Sequence, residues 1–271
     1  MSDIRLLALD LDGTLTNSDK VITPMTNDAV QKAAQSGVTV VLASGRPVIG
    51  IQPLADVLRL DRHGGFILAY NGGQIVDCKA RKVVYEKLIP QQYNRQICDI
   101  ARSLDVAALT YDEVGIVTER PLDRYVYIES YNNAIPIKKV ENLGEHVTWS
   151  TPKFMVVGEP ESLAGALKVI KREFDGRLNA FLSTPYFIEI TPLNIEKASA
   201  LNTLAAILGI ARESIMAIGD GFNDIPMLEF AGVSVAMANA YPEAKAVCKY
   251  QTASNDEDGV GLAIERFIFA N

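Results

Sequence analysis

The sequence predicts an α/β fold in which a doubly wound parallel sheet is interrupted by an inserted α+β module. Three observations support this prediction. Short apolar runs alternate with helical segments over residues 1–88, the pattern changes to neighbouring strands and helices over 89–190, and the alternation returns over 191–271. An insertion of about 100 residues is large enough for a small core of its own. We therefore expect two domains, the first of which is split in sequence.

The opening elements of the first domain are predicted from apolar runs and from residues that start or end helices. Residues 4 and 6–9 are apolar, which is typical of a buried parallel strand. Thr23 and Pro24 suit the N-cap and first position of a helix, and Gly37 suits the position just after its end. The remaining predictions are strands at Val38–Ala43 and Phe66–Tyr70, a hairpin at 75–76 and 83–85, and a helix starting near Pro47.

The inserted module and the returning segment are interpreted in the same way. Apolar residues at helical spacing over 93–104 predict a helix. The other elements predicted in the module are strands at Val106–Thr110, Gly115–Thr118, Phe154–Val157, Ala180–Ser183 and Phe187–Thr191, and helices at Leu122–Tyr131 and Leu163–Phe174. Those predicted after the module are a helix over 198–208, strands at Ile215–Ile218 and Val233–Ala236, and between these strands a helix ending before Gly232.

Composition and charge limit the classes of function. The chain has 271 residues, of which 48% are hydrophobic and 22% charged, as in ordinary globular proteins. A net charge of −7 predicts no nucleic-acid partner, although a small anion needs only local positive charge. No secretory signal and no apolar stretch of ~18 residues is present, so we expect a cytoplasmic protein without a membrane partner. Three widely spaced cysteines predict neither a disulfide framework nor a zinc site.

The segment Asp10-Leu11-Asp12-Gly13-Thr14 directly follows the first predicted strand. In open α/β sheets, ligands bind at the carboxyl ends of the strands. Two carboxylates placed there repel each other, so a positive charge is expected beside them, and Mg²⁺ prefers oxygen ligands. The alternative is that these residues only form a turn, in which Asp and Gly are common.

Three further segments suit a phosphate. Ser44 follows the second strand and precedes the backbone N–H groups of Gly45 and Arg46, and Lys197 lies near a helix start, where an anion is favoured. Gly219–Asp224 ends a strand and opens a helix with acidic and amide side chains. Each has a structural alternative, since Ser, Asn and Asp cap helices and a lone lysine is usually solvated. All the segments are nevertheless expected at one edge of one sheet.

The order of these motifs resembles the haloacid dehalogenase-like phosphohydrolases. Residues 44–47, residues 69–73 and the insertion are similar to the Cof-type, class IIB branch and its YidA-like sugar phosphatases. The resemblance implies a Rossmann-like core with an α+β cap. One departure is Ala198, because the family usually has glycine after the motif lysine. We expect it to alter the start of the helix only slightly.

The resemblance also implies roles for individual residues. Asp10 corresponds to the nucleophile that forms an aspartyl-phosphate, and Asp12 to the general acid and base. Mg²⁺ would be held by the Asp10 carboxylate, the Asp12 backbone carbonyl and Asp220, with Asp224 binding directly or through another ligand. The residues expected to bind phosphate or substrate are Ser44, Gly45, Arg46, Asn71, Gly72, Asn194, Lys197 and Asn223. The cap residues expected to contact the leaving group, with orientations that the sequence leaves open, are Tyr111, Arg124, Tyr125, Lys153, Thr184 and Tyr186.

The sequence therefore predicts a Mg²⁺-dependent phosphatase of small phosphorylated metabolites, with sugar phosphates favoured. Two alternatives stay open at this point. A phosphosugar mutase could use the same core, although the basic residues of the cap form no tight cluster. A phosphosugar-binding regulatory protein is disfavoured by the intact Asp10 and Asp12. We expect a monomer or a weak homodimer, and the physiological substrate stays open.

Overall fold

The computed structural model describes residues 3–270. Its internal contacts divide the chain into a first unit, Met1–Tyr85 with Glu196–Asn271, and an inserted unit, Glu86–Ile195. The inserted module expected from the sequence, 89–190, starts three residues later and ends five residues earlier than this unit.

The strands, in chain order, are β1 (Leu6–Leu9), β2 (Thr39–Ala43), β3 (Phe66–Ala69), β4 (Gln74–Asp77), β5 (Lys82–Glu86), β6 (Ala107–Tyr111), β7 (Ile116–Thr118), β8 (Ile137–Lys139), β9 (Phe154–Val157), β10 (Leu178–Thr184), β11 (Phe187–Pro192), β12 (Ile215–Gly219), β13 (Val233–Ala236) and β14 (Tyr250–Gln251). The α-helices are α1 (Pro24–Gln35), α2 (Val48–Val57), α3 (Leu60–His63), α4 (Asn94–Ser103), α5 (Arg124–Asn133), α6 (Leu143–His146), α7 (Pro160–Glu173), α8 (Lys197–Leu208), α9 (Ile225–Phe230), α10 (Pro242–Val247) and α11 (Gly259–Ile264). Within residues 3–270, every helix is too short or too polar to cross a bilayer.

The first unit contains one sheet with the strand order β14-β13-β12-β1-β2-β3-β4-β5. The strands from β14 to β3 pair in parallel, and β4 runs antiparallel to β3. The side chains of β1 are fully buried, as expected for a strand inside a parallel sheet. The strand order reverses direction between β1 and β12, which is the type of position where such sheets bind ligands. This arrangement confirms the predicted α/β fold.

Most predicted boundaries in the first unit agree with the structure, but Tyr70 is an error. Thr23 caps α1 by accepting a hydrogen bond from the Thr26 amide, and Gly37 follows the helix with φ +96°. Tyr70 was predicted to end a strand, yet its φ is +54° and β3 stops at Ala69. The apolar pattern does not reveal this turn, because the tyrosine side chain is buried like those of the strand before it.

The inserted unit contains a second sheet with the order β10-β11-β9-β6-β7-β8. Its pairs are antiparallel except for β7 with β8. The strand β8 was not predicted, because its three residues include two exposed lysines and no apolar run. The core of this unit includes residues of β9, β11, α4 and α7, represented by Phe154, Ile188, Ile97 and Ile170.

Candidate active site

Three carboxylates meet at the carboxyl ends of β1 and β12. Asp10 follows β1 and Asp220 follows β12, and these strands are parallel neighbours. Asp224 belongs to a short turn of 3₁₀-helix that leads into α9. One carboxylate oxygen from each of the three residues lies within 4.8 Å of the others. Since like charges repel, such a cluster requires compensating positive charge.

Lys197 supplies one such charge from the first position of α8. Its Nζ lies 2.6 Å from Asp10 Oδ1 and 2.6 Å from Asp224 Oδ1, and the side chain is fully buried. Burial alone would lower the pKa of this lysine, but the charges of Asp10 and Asp224 raise it above its usual value. The ammonium is therefore retained, and it bridges the two carboxylates.

A glycine and a threonine position Asp220. Gly13 has φ +83°, and a Cβ at this residue would lie 2.6 Å from Asp220 Oδ2. Thr14 Oγ1 donates to Asp220 Oδ1 at 2.8 Å. The turn itself is closed by Asp224 Oδ2, which accepts from the backbone N–H groups of Asp220 and Gly221 at 3.0 and 2.9 Å. The loop after β1 therefore fits around the carboxylate that follows β12.

The Asp12 carboxylate points to different partners. Arg46 donates to it through Nε at 2.8 Å and through Nη2 at 2.5 Å, and Lys20 Nζ donates at 2.7 Å. Burial would raise the pKa of Asp12, but the hydrogen bonds and charge of Arg46, followed by those of Lys20, lower it. The side chain of Asp12 is therefore outside the three-carboxylate cluster. This position is compatible with the expectation that only its backbone carbonyl faces a metal.

The ends of β2 and β3 bring further predicted residues to the same edge of the sheet. Ser44 is buried, and its hydroxyl accepts from the Arg46 backbone N–H at 3.2 Å. Asn71 donates from its backbone to the Ser44 carbonyl, and its side-chain oxygen accepts from Asn223 Nδ2 at 3.2 Å. A Cβ on Gly72 would lie 2.6 Å from the Glu196 carbonyl oxygen, so glycine permits the close approach of α8.

Gly45 and Asn194 differ in their placement. A Cβ on Gly45 would lie 3.1 Å from Asn71 Nδ2, so this glycine is at the same edge of the sheet. Asn194 lies in the inserted unit, one residue before its end, with φ +55°.

Sequence reasoning assigned no role to three residues that contact this site. Thr14 belongs to the first motif, which could have suggested its role as a donor to Asp220. The other two residues belong to no motif that the sequence analysis recognised. Lys20 donates to the Asp12 carboxylate. Asn239 donates to the Gly13 carbonyl at 2.7 Å.

The donor set fits a divalent cation. With all three carboxylates ionised, the single ammonium of Lys197 leaves a net charge of two negative units. Burial and the charge of Asp224 raise the pKa of Asp10 well above its usual value, despite the presence of Lys197. The cluster is therefore short of positive charge, and its oxygen ligands are those that hard cations such as Mg²⁺ prefer.

The fold and the site together place a cluster of three carboxylates at the switch point of a mainly parallel α/β sheet. The family model for haloacid dehalogenase-like hydrolases matches residues 7–264. The chain therefore belongs to the haloacid dehalogenase-like hydrolases, within their Cof-type phosphatases.

Individual relatives are similar over their full length. A haloacid dehalogenase-like hydrolase from Bacteroides thetaiotaomicron is 41% identical, with a TM-score of 0.95 over 97% of this chain and 99% of that one. The protein YxeH of Bacillus subtilis is 33% identical over 98% of this chain and 99% of its own. The 5-amino-6-(5-phospho-D-ribitylamino)uracil phosphatase YcsE of the same organism is 31% identical over 98% of this chain and 96% of its own.

Proposed function

We propose that this protein is a Mg²⁺-dependent phosphatase of small phosphorylated metabolites, with sugar phosphates as its substrate class. The observation that carries the proposal is the buried Asp10 carboxylate, which Lys197 holds at 2.6 Å beside Asp220 and Asp224. A carboxylate is a weak nucleophile, so the site must supply orientation and charge neutralisation. The cluster provides both.

The proposed reaction has two steps. One Asp10 oxygen attacks phosphorus, the bond from phosphorus to the leaving oxygen breaks, and Asp12 transfers a proton to that oxygen. Asp12 then removes a proton from water, whose oxygen attacks the aspartyl-phosphate and releases inorganic phosphate with the Asp10 carboxylate restored. Asp12 accepts hydrogen bonds from Arg46 and Lys20 in the structure, so it must exchange these partners before it can donate a proton.

The remaining residues bind the phosphoryl group. Lys197, Ser44 and Asn223 are proposed to donate hydrogen bonds to its oxygens, where negative charge must be stabilised in the transition state. Asp10, Asp220 and Asp224 would hold Mg²⁺ with the Asp12 carbonyl. When bound, the cation neutralises the repulsion between the nucleophile and the phosphoryl oxygens.

The substrate class has separate support. The relative YcsE is named as a phosphatase of a ribitylamino compound, whose sugar-alcohol chain is phosphorylated. We further propose a cytoplasmic protein whose partner is a small phosphorylated metabolite, not nucleic acid or a membrane, and which is a monomer or a weak homodimer.

Phosphate release from a panel of sugar, nucleotide and aryl phosphates tests this function. Wild-type protein should release phosphate with Mg²⁺, and EDTA should abolish the release. Asp10→Asn should retain the fold, as judged by circular dichroism, and lose turnover. Near-normal turnover by that variant would contradict the assignment of the nucleophile, and an isomeric phosphosugar as the product would indicate a mutase instead.

A further inference from the structure

Lys20 lies in the loop between Asp12 and α1, in a turn of unusual backbone conformation. Its φ is +62°, in the left-handed region that residues other than glycine rarely adopt. Such conformations persist only where the surrounding structure enforces them, and they are concentrated at active sites. The contacts of Lys20 should therefore show what enforces this conformation and what it is used for.

The side chain of Asn17 builds the turn. Asn17 Oδ1 accepts from the backbone N–H groups of Asp19 at 3.1 Å and of Val21 at 3.0 Å. The Lys20 backbone N–H donates to the Asn17 carbonyl at 2.9 Å. Asparagine is favoured in turns because its side chain forms hydrogen bonds of this kind. The backbone of Lys20 is therefore fixed by its neighbours, although its side chain is 62% exposed.

A second loop of the same unit anchors the turn. The Ser18 backbone N–H donates to Asp256 Oδ1 at 2.8 Å, and the Ser18 hydroxyl donates to Asp256 Oδ2 at 2.7 Å. Asn255 Nδ2 donates to the Thr16 carbonyl at 3.0 Å. Because these bonds join residues 238 and 239 positions apart in sequence, they tie the loop to a distant part of the unit. Lys20 therefore projects from an anchored turn.

The two oxygens of the Asp12 carboxylate have different partners. Oδ2 accepts from Arg46 Nε at 2.8 Å, whereas Oδ1 accepts from Lys20 Nζ at 2.7 Å and from Arg46 Nη2 at 2.5 Å. Arg46 thus contacts both oxygens, and the Lys20 bond is to Oδ1. If Arg46 turns to the substrate, for which the sequence predicted it as a ligand, Lys20 still orients Asp12 and Oδ2 becomes accessible.

We propose that Lys20 is a positioning residue for Asp12 in the second step, the hydrolysis of the aspartyl-phosphate. An ammonium only donates hydrogen bonds, so it pairs with the ionised Asp12 that this step needs as its base. Lys20 keeps Oδ1 in place while Oδ2 takes a proton from water. The water oxygen bonds to phosphorus, the bond from phosphorus to the Asp10 oxygen breaks, and its electron pair returns to the Asp10 carboxylate. This inference rests on the proposed function, to which it adds a residue.

Lys20→Met tests the inference, because it keeps most of the side-chain length and removes the ammonium. The full-length protein is mixed with Mg²⁺ and saturating 4-nitrophenyl phosphate, whose leaving group is a stable anion that needs little help from an acid. After an acid quench at steady state, mass spectrometry gives the ratio of phosphorylated to unphosphorylated Asp10. A slower second step should raise this ratio on the order of 10-fold, which is part of the roughly 10²- to 10⁴-fold contribution of a general base.

Three control variants separate the ammonium from other effects. Lys20→Gly relaxes the backbone, since glycine adopts a positive φ without strain, and should raise the ratio as Lys20→Met does. Lys20→Arg keeps a donor and should stay near the wild-type ratio. Lys32→Met removes a lysine that pairs with Glu265 at an exposed position of the same unit, and it should leave the ratio unchanged.

The outcomes distinguish this inference from the proposed function. A ratio in Lys20→Met at or below the wild-type value would overturn the inference and leave the proposed function intact. A wild-type ratio in Lys20→Gly would overturn it as well, because the backbone turn and not the ammonium would then be what matters. Wild-type protein that neither releases phosphate nor carries it on Asp10 would instead contradict the proposed function.

Discussion

Lys197→Met should destabilise the protein strongly, because it removes the only ammonium that contacts both Asp10 and Asp224 in the described part of the chain. The lysine is fully buried, and both of its carboxylate contacts are 2.6 Å long. Breaking a buried ion pair by deleting one partner costs about 3–5 kcal/mol, since the other charge stays buried without compensation. For a chain of this size that corresponds to a fall in Tm of roughly 6–20 °C. Differential scanning fluorimetry with EDTA present measures it.

Two further variants make this prediction refutable. Lys32→Met is the matched control, because Lys32 pairs with Glu265 at an exposed position, where ion pairs contribute about 0–1 kcal/mol. The double variant Lys197→Met with Asp224→Asn should be less destabilised than the sum of the two single variants, because it removes one of the repelling carboxylates. A loss in Lys197→Met no larger than in Lys32→Met would refute the reasoning.

Two other predictions concern the packing of the site and the thiols. Gly13→Ala places a Cβ 2.6 Å from Asp220 Oδ2 and should lower kcat/KM on the order of 100-fold. Gly37→Ala is the control, because Gly37 also has a positive φ but a Cβ added there would meet no atom of the described residues within 4 Å, so this variant should affect stability alone. Equal kcat/KM values for the two variants would contradict the positioning role of Gly13. Burial raises the pKa of the Cys78 and Cys98 thiols to about 12, so iodoacetamide should label them slowly at pH 8 until the protein unfolds. Thiols of an unfolded chain ionise near a pH of about 8.5, so the contribution of the buried Cys78 and Cys98 thiols to stability should be lost as the pH rises above that value. Rapid labelling of the native protein would contradict the burial of these two thiols.

The sequence predicted the fold most accurately in segments where one pattern of apolar residues dominated. The apolar runs of β1 and β12 identify buried parallel strands, and the polar residues after each strand must then meet at one edge of the sheet. That logic predicted the proximity of Asp10 and Asp220, whereas Lys197 was assigned to the same edge from its position near the start of a helix. The inserted unit was recognised because its strands neighbour one another in sequence, which favours antiparallel pairing.

Other features depend on contacts that periodicity does not encode. Tyr70 is apolar enough for a strand, yet it adopts φ +54° in the turn that carries Asn71 to Asn223. The pairing of Asp12 with Arg46 and Lys20 requires three loops to converge, and no local pattern specifies it.

The most direct test of the central claim is a search for phosphate on Asp10. Protein mixed with glucose 6-phosphate and Mg²⁺ is quenched in acid, digested and analysed by mass spectrometry. The proposed mechanism predicts a phosphoryl group on the peptide that contains Asp10. The phosphoryl group should be absent from Asp10→Asn, and Asp12→Asn should slow both its formation and its hydrolysis, because Asp12 serves as the acid of the first step and the base of the second. Phosphate release without phosphorylation of this peptide in any variant, or a phosphorylated Asp10→Asn, would contradict the mechanism.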